Sequence, residues 1–149
     1  MRLVITVGLP GSGKSTYLAR LGVNAISSDE IRRLIADDPH DQSMNARIFS
    51  AIRYLVRQRM AAGRPVTYVD ATHLAPWERK PYVILAQRYG CRLEALFFDV
   101  PVDICIARNQ ARDRVVPEEA IRKMARLMIP PSTGEGFAEI ARITSDEVG

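Results

Sequence analysis

Short apolar runs alternate along the chain with segments in which apolar residues recur every three or four positions. Apolar runs of four to eight residues are typical of buried strands, and the longer period is typical of helices. The pattern predicts strands at residues 2–8, 24–28, 65–70 and 91–100, with a last strand within 136–143. It predicts helices at residues 14–21, 29–37, 42–62, 76–89 and 101–109, and one from Pro117 to before Pro130.

Strands that alternate with helices build a mostly parallel sheet with helices on both faces. We therefore predict a single α/β domain over residues 1–149, with a sheet of four to five strands. In such sheets the ligand lies beyond the carboxyl ends of the strands. The loops after residues 7, 28, 70 and 98 are expected to form the site.

The composition adds little to the predicted fold, but it narrows the range of expected binding partners. Apolar residues make up 47% of the chain and charged residues 26%, as in ordinary globular domains. No apolar run approaches the roughly 20 residues that cross a bilayer. Because the sequence goes directly into a strand, we expect no signal peptide. We expect a cytoplasmic protein without membrane association. A net charge of +4 favours anionic partners such as phosphates or nucleic acid, and no protein partner can be inferred.

The segment between the first strand and the first helix reads VGLPGSGKST, and Gly8 to Ser15 match the pattern G-x-x-x-x-G-K-[ST]. Gly8, Gly11 and Gly13 permit backbone angles with which several N–H groups point at one phosphate chain. The next helix adds the positive end of its dipole. Lys14 is expected to reach the β- and γ-phosphates, and the Ser15 hydroxyl is expected to bind Mg²⁺. The loop therefore predicts a site for a nucleoside triphosphate, with ATP and Mg²⁺ as cofactors.

Asp29 follows the second strand, beside the glycine loop in the predicted sheet. A kinase needs a carboxylate that orients the acceptor hydroxyl and accepts its proton. Arg32 lies one helical turn further on the same face, where we expect it to bind an anionic acceptor. Alternatively, Ser28 or Asp29 caps the helix that begins here, which does not exclude catalysis.

Asp70 ends the third strand in the segment VTYVDATH. After the glycine loop, an apolar strand that ends in Asp is the usual form of the second sequence motif associated with Mg²⁺. An Asp that only forms a turn is the alternative. We interpret His73 as a loop residue, because the sequence offers it no partner as a metal ligand.

Three arginines, Arg108, Arg112 and Arg114, lie in and beside the predicted loop of the segment ARNQARDRVVP. Phosphoryl transfer spreads negative charge over the moving group, and arginines neutralise it. We expect residues 108–116 to close over the nucleotide as an arginine-bearing lid. A solvated basic turn is the alternative.

The long predicted helix carries four arginines, Arg47, Arg53, Arg57 and Arg59. A groove for a nucleic-acid backbone and an ordinary solvated helix face both fit this pattern. Tyr54 and Phe49 on the same helix would be able to stack on bases, but we expect both to pack in the core.

Taken together, these segments resemble the kinase domain of bacterial and phage polynucleotide 5′-hydroxyl kinases, within the adenylate-kinase-like P-loop phosphotransferases. The resemblance is carried by GLPGSGKST, SSDEIRRLIADD, VDATH and ARNQARDRVVPEEAIRKM, and covers most of residues 1–128. His73 departs from it, since the family usually has Asn at this place.

The resemblance implies a role for each candidate residue. Lys14 and Ser15 would hold the phosphates and Mg²⁺, and Asp29 would be the general base acting on the 5′-hydroxyl. Arg32 would contact the phosphate of the acceptor, and two lid arginines, Arg108 and Arg114, would contact the phosphates of ATP. The candidate nucleotide-binding residues are Gly8, Gly11, Ser12, Gly13, Lys14, Ser15, Thr16, Arg108 and Arg112, and the candidate metal ligands are Ser15 and Asp70.

The sequence thus predicts a P-loop kinase that transfers the γ-phosphate of ATP to the 5′-hydroxyl end of DNA or RNA. Two alternatives stay open. A kinase for a small hydroxylated metabolite, nucleoside or antibiotic would need a closed acceptor pocket. An ATP-binding switch would have no need of Asp29 and Arg32.

Overall fold

The computed structural model of the chain describes residues 1–112 and 115–148. Its strands are β1 (Arg2–Val7), β2 (Ala25–Ser27), β3 (Val66–Asp70), β4 (Arg92–Asp99) and β5 (Glu139–Thr144). They form one sheet in the order β2-β3-β1-β4-β5, and all neighbouring strands are parallel. The prediction of a parallel sheet with four to five strands is confirmed.

The helices connect successive strands, except for the last one, which follows the final strand. They are α1 (Lys14–Arg20), α2 (Ser28–Ala36), α3 (Asn45–Ala61), α4 (Pro76–Tyr89), α5 (Val102–Gln110), α6 (Glu118–Leu127) and α7 (Ser145–Val148), with a 3₁₀ turn at Thr133–Glu135. The predicted elements differ from these by at most three residues at an end, and α7 was not predicted. Among the residues that the structure describes, no helix is long and apolar enough to cross a membrane.

The main core lies between one face of the sheet and helices α3 and α4. Every fourth residue of α3, namely Ile48, Ile52, Val56 and Met60, is buried there. These side chains pack against residues of β1 that point to the same face, among them Leu3 and Ile5. The period of four in the sequence therefore marks the buried stripe of α3.

Helix α1 packs on the opposite face of the sheet. Tyr17 of α1 lies edge-on against Phe98 of β4, with 5.5 Å between the ring centroids. Leu96 and Ile143 join this smaller cluster. Since Leu93 and Ala95 of β4 belong to the main core and strand side chains alternate, helices flank both faces of the sheet.

The expectation of core packing is confirmed for Phe49 and is wrong for Tyr54. Phe49 is half-buried against the main core. Tyr54 is 53% exposed, because it lies two positions from both Ile52 and Val56 and therefore outside the buried stripe. Arg57 lies over its ring, 5.8 Å from the centroid.

Candidate functional site

The glycine loop turns sharply between β1 and α1. Gly11 and Gly13 have φ angles of 81° and 96°, which side chains with a Cβ rarely adopt. The loop also passes very close to helix α5, since a Cβ on Gly11 would lie 2.2 Å from the carbonyl oxygen of Cys105. Both constraints require glycine, so the loop has the backbone geometry expected from the motif.

Lys14 begins α1 and folds back over the loop. Its Nζ donates hydrogen bonds to the carbonyl oxygens of Gly8 (3.1 Å) and Leu9 (2.8 Å). Burial lowers the pKa of Lys14 to about 8, although the nearby Asp70 carboxylate acts in the opposite direction. The ammonium group thus lies at the concave side of the loop, where a bound anion would offset the free-energy cost of burying its charge.

Ser15 and Asp70 meet across the gap between α1 and the end of β3. The Ser15 hydroxyl donates a hydrogen bond of 2.6 Å to Oδ2 of the buried Asp70 carboxylate. These oxygen donors suit Mg²⁺, which usually takes one or two protein oxygens and completes its shell with water and phosphate oxygens. Within residues 1–112 and 115–148, no cluster of three or more His, Cys, Asp or Glu side chains forms a metal site. The pair therefore fits a magnesium ion that is shared with a nucleotide.

A cavity of about 380 Å³ opens at the carboxyl edge of the sheet, over the glycine loop. Nine of the sequence-predicted site residues line it: Gly11, Gly13, Lys14, Ser15, Thr16, Asp29, Asp70, Arg108 and Arg112. The two other candidates in the glycine loop, Gly8 and Ser12, are buried and do not line the cavity. The loop after β4 contributes no lining residue, and helix α5 beyond it supplies Arg108 in its place.

Asp29 lies in the first turn of α2 and faces this cavity. The cap of α2 is Ser27, whose Oγ accepts a hydrogen bond of 3.3 Å from the backbone N–H of Glu30. Neither Ser28 nor Asp29 is the capping residue that the sequence offered as an alternative. An Asp29 oxygen lies 3.6 Å from a guanidinium nitrogen of Arg112 across the cavity.

Arg32 does not line the cavity. It is only 5% exposed, and its guanidinium donates hydrogen bonds to the carbonyl oxygen of Asp41 and the side-chain oxygen of Asn45. Its position on α2, three residues after Asp29, is as predicted, but its long side chain turns toward the start of α3. A contact between Arg32 and the acceptor therefore stays a prediction.

Asn109 links the two described parts of the segment 108–116 by hydrogen bonds. The buried Asn109 side chain donates to the carbonyl oxygen of Val116 (2.6 Å) and accepts from the backbone N–H of Val116 (3.0 Å). Arg108 donates to the carbonyl oxygen of Ser145 at 3.3 Å. Arg114 lies outside the described residues, so its proposed contact with ATP stays a prediction.

The loop after β3 is held by two buried basic side chains. His73, a loop residue as predicted, has a φ of 45° and donates from Nδ1 to the carbonyl oxygen of Thr6 at 2.6 Å. Burial lowers the pKa of His73 to about 4, so the ring is neutral near pH 7. Arg79 of α4 is fully buried and donates to the carbonyl oxygen of His73 at 2.9 Å. Both residues support the backbone that follows Asp70.

Sequence reasoning missed Arg20, Arg79 and Asn109. Arg20 lines the cavity four residues after Thr16, and this helical spacing was a signal that would have found it. Arg79 acts through a side chain that is distant in sequence, and Asn109 acts through backbone atoms. No local sequence pattern marks either residue.

The comparisons with known proteins agree with this geometry. The sequence profile of a family described as an AAA domain matches residues 3–131. A chain of the Pnkp1/Rnl/Hen1 RNA repair complex has a TM-score of 0.70 at 25% identity; the match covers 85% of this chain and 43% of that longer one.

Two further solved structures are small-molecule kinases. A sugar kinase from Janibacter sp. HTCC2649 has a TM-score of 0.69 at 16% identity, with 98% of this chain and 86% of that chain covered. A gluconokinase from Sinorhizobium meliloti 1021 has a TM-score of 0.61 at 17% identity, with 97% and 82% covered. At these identities the likeness shows the fold alone, which is that of the P-loop kinases.

Proposed function

Because this chain belongs to the AAA domain family and has the fold of the P-loop kinases, we propose that it is an ATP-dependent kinase acting on the 5′-hydroxyl end of DNA or RNA. One observation carries the proposal. A single cavity brings together the Lys14 ammonium, the Ser15–Asp70 pair, the Asp29 carboxylate and the guanidinium groups of Arg108 and Arg112. These are the groups that phosphoryl transfer to an alcohol requires.

The donor side of the proposed site is the glycine loop. The loop N–H groups and the amino end of α1 bind the phosphate chain, and Lys14 exchanges its bonds to Gly8 and Leu9 for phosphate oxygens. Ser15 and Asp70 would hold Mg²⁺, which would neutralise negative charge on the phosphates of the nucleotide. We propose that the segment 108–116 closes over this nucleotide within one kinase domain of residues 1–149.

The acceptor side of the proposed site is the start of α2. The acceptor hydroxyl donates its hydrogen bond to Asp29, and this carboxylate takes the proton as the new P–O bond forms and the bond to the β-phosphate oxygen breaks. Arg108 and Arg112 neutralise the negative charge that spreads over the transferred group. Arg112 lies 3.6 Å from Asp29, which places its guanidinium beside the proposed base.

The choice of acceptor rests on charge and on the combination of motifs. A net charge of +4 and arginines around an open cavity suit an anionic polymer. The likeness to a chain of an RNA repair complex points the same way. The position of Arg32 favours a second candidate, a kinase for a small hydroxylated metabolite, because Arg32 is bonded to Asp41 and Asn45 and lies outside the cavity lining.

The acceptor test compares thymidine 3′-phosphate with thymidine, using labelled ATP. A polynucleotide kinase should strongly prefer the acceptor with the 3′-phosphate. Arg32→Ala should raise the KM for thymidine 3′-phosphate roughly ten- to a hundredfold, the range for one lost charge-assisted contact. Arg33→Ala is the matched control, since Arg33 is exposed and paired with Glu30, and it should leave this KM unchanged.

Each alternative predicts another outcome of this experiment. A small-metabolite kinase shows no preference for the 3′-phosphate, and a switch transfers phosphate to no acceptor. Equal use of both acceptors by the wild type would refute the polynucleotide proposal while leaving kinase activity intact. Because Arg32 is buried, circular dichroism melting of the Arg32→Ala variant must show that it still folds.

A further inference from the structure

Trp77 is the single tryptophan of the chain, and it is 75% exposed. Tryptophan is strongly buried on average, so this degree of exposure is unusual for a side chain without a partner surface. Exposed indoles are enriched where a protein binds another molecule, since they offer a large, rigid and apolar surface. No step of the proposed kinase reaction involves this residue.

The outer face of α4, which carries this indole, also carries positive charge. Lys80, Ile84 and Arg88 follow Trp77 after three, seven and eleven residues, which places all four on one side of the helix, and all four are exposed. The acidic residue nearest in sequence, Glu78, is turned away, and its carboxylate accepts the backbone N–H of Ala75 at 2.8 Å. The face therefore presents one indole beside side chains of a single sign of charge.

The position of Trp77 relates this face to the cavity. Thr72 lines the cavity and Trp77 follows five residues later, so their Cα atoms are at most about 18 Å apart. The backbone between them is fixed by the bond of His73 to Thr6 and by the bond of Arg79 to His73. Trp77 thus stands at the same edge of the sheet as the glycine loop, at a fixed distance from it.

We propose that Trp77, together with Lys80, forms a stacking platform for a base of a single-stranded nucleic acid whose 5′ end occupies the cavity. This inference rests on the proposed function and adds to it a binding surface beyond the terminal nucleotide. Base stacking on an aromatic side chain tolerates any sequence, because every base has a flat π-face. The cations beside the indole would contact the phosphates that connect successive bases.

Charge complementarity selects a nucleic acid over a protein or a second copy of this chain. An interface between folded proteins centres on contiguous apolar surface that is depleted in charge. Here Lys80 lies between Trp77 and Ile84 along the helix face, so the apolar surface is interrupted by a cation. Alternation of one aromatic ring with cations is the arrangement that single-strand binding grooves use.

The single tryptophan makes this surface directly observable. In the absence of ATP, the intrinsic fluorescence should be quenched as oligothymidylates with a 5′-hydroxyl are titrated into the wild-type protein. The decanucleotide should quench with saturation, because its chain is long enough to span the distance of at most about 18 Å between Thr72 and Trp77. The apparent affinity should fall as salt rises, since phosphate contacts release counterions.

Variants separate stacking from charge. In fluorescence anisotropy with a labelled decanucleotide, Trp77→Ala should weaken binding roughly ten- to a hundredfold, the range for one lost base–aromatic stack. Trp77→Phe should recover part of this loss. Tyr54→Ala is the matched control, because Tyr54 is also an exposed aromatic residue beside an arginine. It belongs to another helix, where it lies about 14 Å from the first residue of α3. This variant should bind as the wild type does.

Three results would overturn the proposal: no quenching by the decanucleotide, unchanged binding by Trp77→Ala, or weaker binding by Tyr54→Ala than by Trp77→Ala. A self-association of the protein that Trp77→Ala abolishes, seen by sedimentation without nucleic acid, would assign the surface to a second copy. Transfer from labelled ATP keeps the two hypotheses apart. Decanucleotide that quenches Trp77 but is never phosphorylated refutes the kinase proposal alone. If the decanucleotide is phosphorylated but leaves the protein fluorescence unchanged, and if Trp77→Ala phosphorylates it as fast as the wild type does, the platform alone is refuted.

Discussion

Removing Glu135 should destabilise the whole fold, because it is the counter-ion of a fully buried arginine. Arg79 is 0% exposed, while the Glu135 side chain is 16% exposed. The two carboxylate oxygens accept from Nε (2.8 Å) and Nη2 (2.9 Å) of Arg79. In Glu135→Ala the guanidinium keeps its bonds to the carbonyl oxygens of His73 and Ile129 but loses the only ion-pair partner that it has among the described residues.

Two estimates of the cost agree. Breaking a buried ion pair by removing one partner costs about 3–5 kcal/mol. Counted as bonds, two charge-assisted hydrogen bonds at about 1.5–3 kcal/mol each give a similar loss. For a domain of this length, a loss of about 3–5 kcal/mol corresponds to a fall in melting temperature of roughly 6–20 °C.

The assay is urea unfolding followed by circular dichroism at the helix band, since the exposed Trp77 is a poor reporter of the core. Asp99→Ala is the control. It breaks the pair of Asp99 with Arg142, which has a comparable distance of 2.7 Å but lies on the surface, and should cost less than about 1 kcal/mol. If Glu135→Ala loses no more stability than this control, the buried pair does not support the fold.

The same pair predicts a dependence on pH. Burial alone would raise the pKa of Glu135, but the hydrogen bonds from Arg79 and from the backbone of Ser132 outweigh it and lower the pKa overall. A lowered carboxyl pKa stabilises the fold above the unfolded-state pKa of about 4.3, and the contribution disappears as the pH falls through the folded-state value. The stability difference between wild type and Glu135→Ala should therefore shrink below about pH 4.

Two further predictions concern the proposed reaction. Asp29→Asn should lower kcat by about 10²- to 10⁴-fold, because it removes the proton acceptor. The Kd for ATP should change little, since the Ser27 cap of α2 stays intact. If rapid-quench kinetics show that the variant retains more than half the rate, Asp29 is not the base. The Kd for ATP should rise as the pH passes through the Lys14 pKa of about 8, because the ammonium loses its proton; calorimetric titration between pH 7 and 9.5 tests this, and Lys14→Ala should bind weakly with no such pH dependence.

The parts of the site that were predicted from sequence are those made by local contacts. The positive φ angles of the glycine loop are set within one βα unit, so eight consecutive residues specify its backbone. Asp70 ends β3, and Asp29 lies two residues after the end of the neighbouring parallel strand β2, so the parallel order alone brings both to the cavity. Strand and helix periodicity was therefore enough to place them.

The parts that were not predicted depend on distant contacts or on side-chain conformation. Arg79 and Glu135 are 56 residues apart in sequence, and no periodic pattern links them. For Arg32, the helical spacing gave the position on α2 correctly, but a side chain this long can turn to either side of its helix, and the Asp41 and Asn45 oxygens hold it away from the cavity. Trp77 broke the rule that apolar residues are buried, and this exception is visible only in the fold.

The uniform direction of the strands also makes the protein convenient to attach to a surface. Since all five strands point their carboxyl ends at the cavity, their amino ends and the turns before them lie at the opposite edge. Cys91 directly precedes β4 at that edge and is half-buried, whereas Cys105, the other cysteine, is completely buried. Burial raises the pKa of the Cys91 thiol, so coupling needs mildly alkaline conditions. A maleimide tether or dye would thus be attached at a single place, with the cavity facing outward into solution.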